Sequence, residues 1–146
     1  MSPELILTFI IGILGGVAVG VQTPITSMIS SRLGNIAGSF FVHTSGTVIA
    51  GIALLLRGGE NIRAVRELPW WMFGVGAFGV YVLVSISHSV PRIGATAATS
   101  LIIAGQLVVG MMIDHFGWLE VSVRPVDPTR ILAVGLLFLG AYLMIR

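Results

Sequence analysis

Polar residues in this chain fall in four short clusters, near 32–35, 57–69, 91–92 and 114–129, and these separate five long apolar runs. A bilayer hydrocarbon core of ~30 Å is crossed by about 20 mostly apolar helical residues. Runs at 5–30, 37–56, 70–88, 93–113 and 131–145 meet or approach that length, which predicts five transmembrane helices. The last run is the shortest and is expected to begin inside the preceding interfacial loop. Arg32-Leu-Gly-Asn35 reads as a tight turn, Trp70-Trp71 as an interfacial aromatic pair, and Pro91-Arg92 as the split between the third and fourth spans. No polar stretch is long enough for a soluble domain, so residues 1–146 read as one integral membrane domain of all-α class.

Composition agrees with this reading. Of 146 residues, 55% are hydrophobic and 10% are charged, and mean hydropathy is +1.01. A soluble domain carries about one quarter charged residues, so a water-soluble fold is excluded. Disorder is excluded too, because it needs low hydrophobicity and high charge. The eight arginines do not cluster into a basic face, which argues against nucleic-acid binding. With no cysteine, disulfides, thiolate metal sites and cysteine nucleophiles are ruled out. Arg57, Arg63, Arg66, Arg124 and Arg130 lie on the side of the N-terminus, against Arg32, Arg92 and Arg146 opposite. That bias favours a cytoplasmic N-terminus, but so weakly that insertion in both orientations is open.

Gly12, Gly16 and Gly20 are spaced four apart and share one helix face. Small residues at this spacing let helix backbones approach closely in lipid. The face serves packing either within the chain or between protomers. Gly74 and Gly79 are expected to permit close, sliding contacts, and Pro24 and Pro91 to mark hinges.

Each polar group within the spans must find a partner in a dry environment. Gln22, Thr23 and Thr26 surround Pro24; His43, Thr44, Ser45 and Thr47 form a polar turn in the second span. Tyr81, Ser85 and His88 lie on one face of the third, and Thr96, Thr99, Ser100 and Gln106 add to the fourth. Gln22, His43, Ser85 and Thr96 fall nearer the Arg32/Arg92 side, where they are able to line a half-cavity. The plainer reading is interhelical hydrogen bonding, or hydroxyls bonded to carbonyls of their own helix.

No Asp or Glu lies in a span core, since Glu4 and Asp114 sit at span ends. Cation export that alternates protons and substrate at a buried carboxylate is therefore disfavoured, and a neutral or anionic substrate fits better. His43 is the one titratable group at depth and is able to carry a proton. His43, His88 and His115 show no metal-ligand spacing, and no acid, base and nucleophile set is apparent. The chain does not read as an enzyme, and no metal or cofactor is indicated.

The runs Gly15–Pro24, Arg32-Leu-Gly34 and Ser45-Gly-Thr47 resemble the small YdcZ-like proteins of the drug/metabolite transporter superfamily. So do Val90–Ala95, Gly105-Gln-Leu107, Ile113-Asp-His-Phe-Gly117 and the stretch around Gly135 and Gly140. The resemblance covers nearly the whole chain. It implies a five-helix half of a ten-helix inverted-repeat transporter, multi-pass in the bacterial inner membrane. Such a half pairs with an oppositely inserted copy, or with a homologous chain as a heterodimer. Two departures stand out: Thr26 occupies a place where asparagine is expected, and the first helix lacks the glutamate of the related small multidrug resistance proteins. Cationic drugs are therefore not carried over as substrates.

The expected function is transport of a small, neutral or anionic molecule by an inverted dimer through alternating access. Gln22, His43, Tyr81, Ser85 and Gln106 are expected to line the pathway. The alternative is a non-transporting scaffold or regulatory subunit of another membrane protein. It would use the same glycine faces around a dry interior. A channel is less favoured, since no charged ring or filter motif is present.

Overall fold

The computed structural model describes residues 2–145. Among them all regular elements are helical: α1 Pro3–Leu33, α2 Asn35–Leu56, α3 Val75–Phe116 and α4 Pro128–Ile145, with short 3-10 turns between α2 and α3 and after α3. All four helices are long and apolar enough to cross a membrane.

Local chemistry explains where each begins and ends. The Ser2 hydroxyl accepts the Leu5 amide at 3.3 Å at the start of α1, with Pro3 in the first turn, where its missing N–H costs nothing. Glu4 in the first turn and Arg32 in the last complement the helix dipole. α2 ends in a glycine pair: Gly58 N–H donates to the Leu55 carbonyl at 3.1 Å and Gly59 N–H to that of Leu54 at 2.8 Å. Both glycines have positive φ, which closes a Schellman motif. Asp127 caps α4 by accepting the Arg130 amide at 2.8 Å, and Pro128 again stands first.

A single residue, Gly34, joins α1 to α2, with φ 89° and ψ 157°. α3 is interrupted in the same way at Gly94, with φ 80° and ψ 161°. Only glycine enters this part of backbone space readily. At about 1.5 Å per residue, the 42 residues of α3 would extend roughly 63 Å, about twice the hydrocarbon thickness. The break divides it into arms at 75–93 and 95–116. There are thus four helices but five apolar helical segments. Arg stands two residues before the glycine in both junctions, as Arg32-Leu-Gly34 and Arg92-Ile-Gly94.

The expected segments are all present, with two corrections. The split between the third and fourth segments lies at Gly94, not at Pro91-Arg92, and Pro91 is inside the helix. A proline removes one backbone donor yet has a φ suited to a helix, whereas the Gly94 conformation cannot continue one. The third segment is α-helical only from Val75, because Trp70–Gly74 forms a 3-10 turn after Pro69. The final helix does start early, at Pro128.

The chain forms two compact units, one of residues up to Thr23 with those from Ser89 onward, the other of Pro24–His88. Most of their buried residues are small or hydroxylated. Thr23, Ala97, Ala98, Ala104 and Ala141 are buried in the first; Thr26, Ser27, Ser30, Gly38, Ser39 and Ser87, with Leu83 and Ile86, in the second. Large apolar side chains on all four helices face outward, among them Ile13, Ile49, Phe78 and Leu136. This inverts the water-soluble pattern. Lipid solvates leucine as well as another leucine does, so helix association in a bilayer rests on close packing of small residues.

Candidate functional site

Small polar side chains concentrate in the Pro24–His88 unit. On α1, Thr26 and Ser27 are buried, and Ser30 one helical turn further along. Ser30 meets two other elements of the unit. Its hydroxyl is hydrogen-bonded to that of Ser87 on α3, 2.7 Å away, and Ser87 also donates to its own helix at Leu83 O, at 2.8 Å. On α2, Gly38 lies against Ser30 so closely that an added Cβ would stand 2.9 Å from the Ser30 Cα and would overlap its hydroxyl. Glycine is required there by backbone approach.

His43 is half-buried one turn further along α2. Its Nδ1 is 2.8 Å from the Ser39 carbonyl oxygen and 3.4 Å from the Ser39 hydroxyl, and Ser39 is itself buried. The other edge of the ring lies against Gly79 of α3. One buried group is left over: among the described residues, the Thr26 hydroxyl has no hydrogen-bond partner.

Of the five residues expected to line a pathway, His43, Tyr81 and Ser85 belong to this unit, while Gln22 and Gln106 belong to the other. His43 and Ser85 are half-buried; Gln22, Tyr81 and Gln106 are exposed. No side-chain hydrogen bond joins any two of the five among the described residues. His43 does reach the α3 arm that carries Tyr81 and Ser85, through Gly79. Several other hydroxyls bond carbonyls of their own helices: Thr23 to Val19, Ser45 to Val42, Thr47 to His43 and Ser100 to Thr96.

Ser27, Ser30, Gly38, Ser39 and Ser87 were not singled out from the sequence. A signal for the α1 members exists, because small polar residues at 23, 26, 27 and 30 repeat at helical spacing. The partners on α2 and α3 carry no such mark. At Gly12, Gly16 and Gly20, an added Cβ would meet no neighbouring atom within 4 Å. Alongside, a shallow apolar cavity of about 350 Å³ is lined by Leu5, Thr8, Phe9, Gly12 and Ile13, all on one face of α1.

Asp114 and His115 have structural work in the loop before α4. Arg130 donates to Asp114 at 3.4 Å, the Arg124 amide donates to the Asp114 carbonyl at 2.8 Å, and the Val126 amide donates to His115 Nδ1 at 3.2 Å. Phe116 stacks on Trp118 beside them. These contacts tie the loop back onto the end of α3.

Comparison with known proteins agrees with this architecture. Residues 7–143 match the family described as "Putative inner membrane exporter, YdcZ". The chain is 25% identical over 152 residues to the "Inner membrane protein YdcZ" of Escherichia coli (strain K12), a match covering 100% of this chain and 98% of that protein. No solved structure matches. The resemblance to YdcZ-like proteins drawn from the sequence motifs is thereby confirmed, and with it a multi-pass inner membrane protein. The chain belongs to the YdcZ family.

Proposed function

We propose that the chain is a transporter of small molecules in the bacterial inner membrane, working by alternating access as a pair of oppositely inserted copies. The pair is either a homodimer or a heterodimer with a homologous chain. Each copy supplies one five-helix half of a ten-helix assembly of drug/metabolite transporter type. The observation that carries this reading is the match to an inner membrane exporter family over almost the full chain. Further support comes from the interior, where hydroxyls and an imidazole collect in a molecule whose long apolar side chains point outward.

The substrate is a small neutral or anionic molecule. The acids nearest the apolar helices are Glu4, in the first turn of α1, and Asp114, near the end of α3 and paired with Arg130. Neither offers a cation a carboxylate at membrane depth. Gln22, His43, Tyr81, Ser85 and Gln106 supply amide, imidazole and hydroxyl groups along the pathway. The open glycine face of α1, at Gly12, Gly16 and Gly20, receives a helix of the partner copy.

Topology tests the pairing directly. The chain has no cysteine, so a single cysteine at Asn61, exposed in the turn after α2, reports that loop alone. Labelling of part of the population from each side of the membrane supports the inverted homodimer. Labelling from one side only removes the homodimer and leaves the oppositely oriented partner chain as the required arrangement.

A further inference from the structure

The His43 ring is held by two contacts of different kinds, and together they fix its chemistry. Nδ1 lies 2.8 Å from the Ser39 carbonyl oxygen. A carbonyl oxygen only accepts, so this distance is a hydrogen bond when Nδ1 bears the proton and a lone-pair repulsion when it does not. The Ser39 hydroxyl, 3.4 Å from the same nitrogen, accepts as well in that state. Nε2 is then the unprotonated nitrogen of the neutral ring. Nε2 is also the atom that meets α3: a Cβ built on Gly79 would stand 2.8 Å from it, with the neighbouring ring carbons at 3.7 and 3.8 Å. A carbon at that distance from a ring nitrogen forces a shift, and the imidazole is rigid, so any side chain at position 79 turns His43 away.

We propose that Gly79 is a positioning residue for His43, leaving the space that seats the imidazole against α3 in its Nδ1–H tautomer. The inference rests on the reading of His43 as a pathway residue for its functional meaning, but its geometry stands apart from that reading. In this tautomer Nε2 carries no proton and is the ring edge seated against α3 at Gly79.

The test uses the full chain in lipid bilayers, with nitrogen-15 in its histidines and His43→Gln to assign the signal. In alkaline buffer, the His43 ring is expected to show a protonated Nδ1 and an unprotonated Nε2. Gly79→Ala is expected to shift both His43 signals. Gly76→Ala, on the same arm with no neighbour within 4 Å, is expected to leave them in place. A proton on Nε2, or unchanged signals in Gly79→Ala, overturns the proposal. Thermal stability supplies a second reading that tolerates a poorly folding variant. Gly79→Ala lowers the melting temperature of the parent chain but not of the His43→Ala chain, where the ring no longer occupies the space. Equal losses in both backgrounds overturn the seat. None of these readings depends on transport, so a dry pathway would refute the proposed function and leave the seat intact.

Discussion

Thr26 and Gly38 carry opposite packing consequences, although both are small residues in one unit. The Thr26 hydroxyl is buried without a partner, and such a group costs about 1–3 kcal/mol relative to a satisfied one. Valine has nearly the same shape without the hydroxyl, so Thr26→Val is predicted to hold or raise the melting temperature in detergent or bilayers. A clear drop would mean that the hydroxyl is bonded in the membrane. Gly38 is the reverse case, because the obstacle to a Cβ there includes the Ser30 backbone. Gly38→Ala is predicted to destabilise by about 1–3 kcal/mol, the usual cost of overpacking, measured as reduced melting temperature against Gly46→Ala. Gly46 has open space around it. The sequence marks Gly38 only as one glycine among 19, and nothing local distinguishes it from Gly46. The difference arises from the approach of α1, which is a long-range fact.

At the scale of elements, the two glycine junctions define the helix order. Gly34 and Gly94 share nearly one backbone conformation, and residues with a Cβ pay about 1–3 kcal/mol to hold such strained positions. Gly34→Ala and Gly94→Ala are each predicted to lower thermal stability by that order, although neither Cβ would clash with a neighbour. An unchanged melting temperature for either would show that its junction adopts another conformation in the bilayer. The five apolar segments were legible in the sequence because bilayer thickness imposes a length on each. The division of α3 was legible only to within a few residues. Pro91 is the conspicuous breaker in sequence, yet the helix passes through it and ends at Gly94. A glycine announces that an unusual φ is available, not that it is used.

At the scale of the whole molecule, the chain belongs to the YdcZ family of inner membrane proteins, and its exterior is what lipid requires. Polarity within apolar runs marks the candidate pathway residues in the sequence, and it marks His43, whose contacts to Ser39 and Gly79 are built into the fold. It did not find the serine contacts at Ser30 and Ser87, because a serine in a membrane helix costs little and stands out less than glutamine or histidine. The central claim is that a polar solute crosses beside Gln22, His43, Tyr81, Ser85 and Gln106. The most direct measurement is labelling of single cysteines at Gln22, Tyr81, Ser85 and Gln106 by a membrane-impermeant thiol reagent, with Ile49 and Leu136 as lipid-facing references. The account predicts labelling at the four polar positions and none at the references. Protection of all six would mean a dry interior and would contradict a transport pathway.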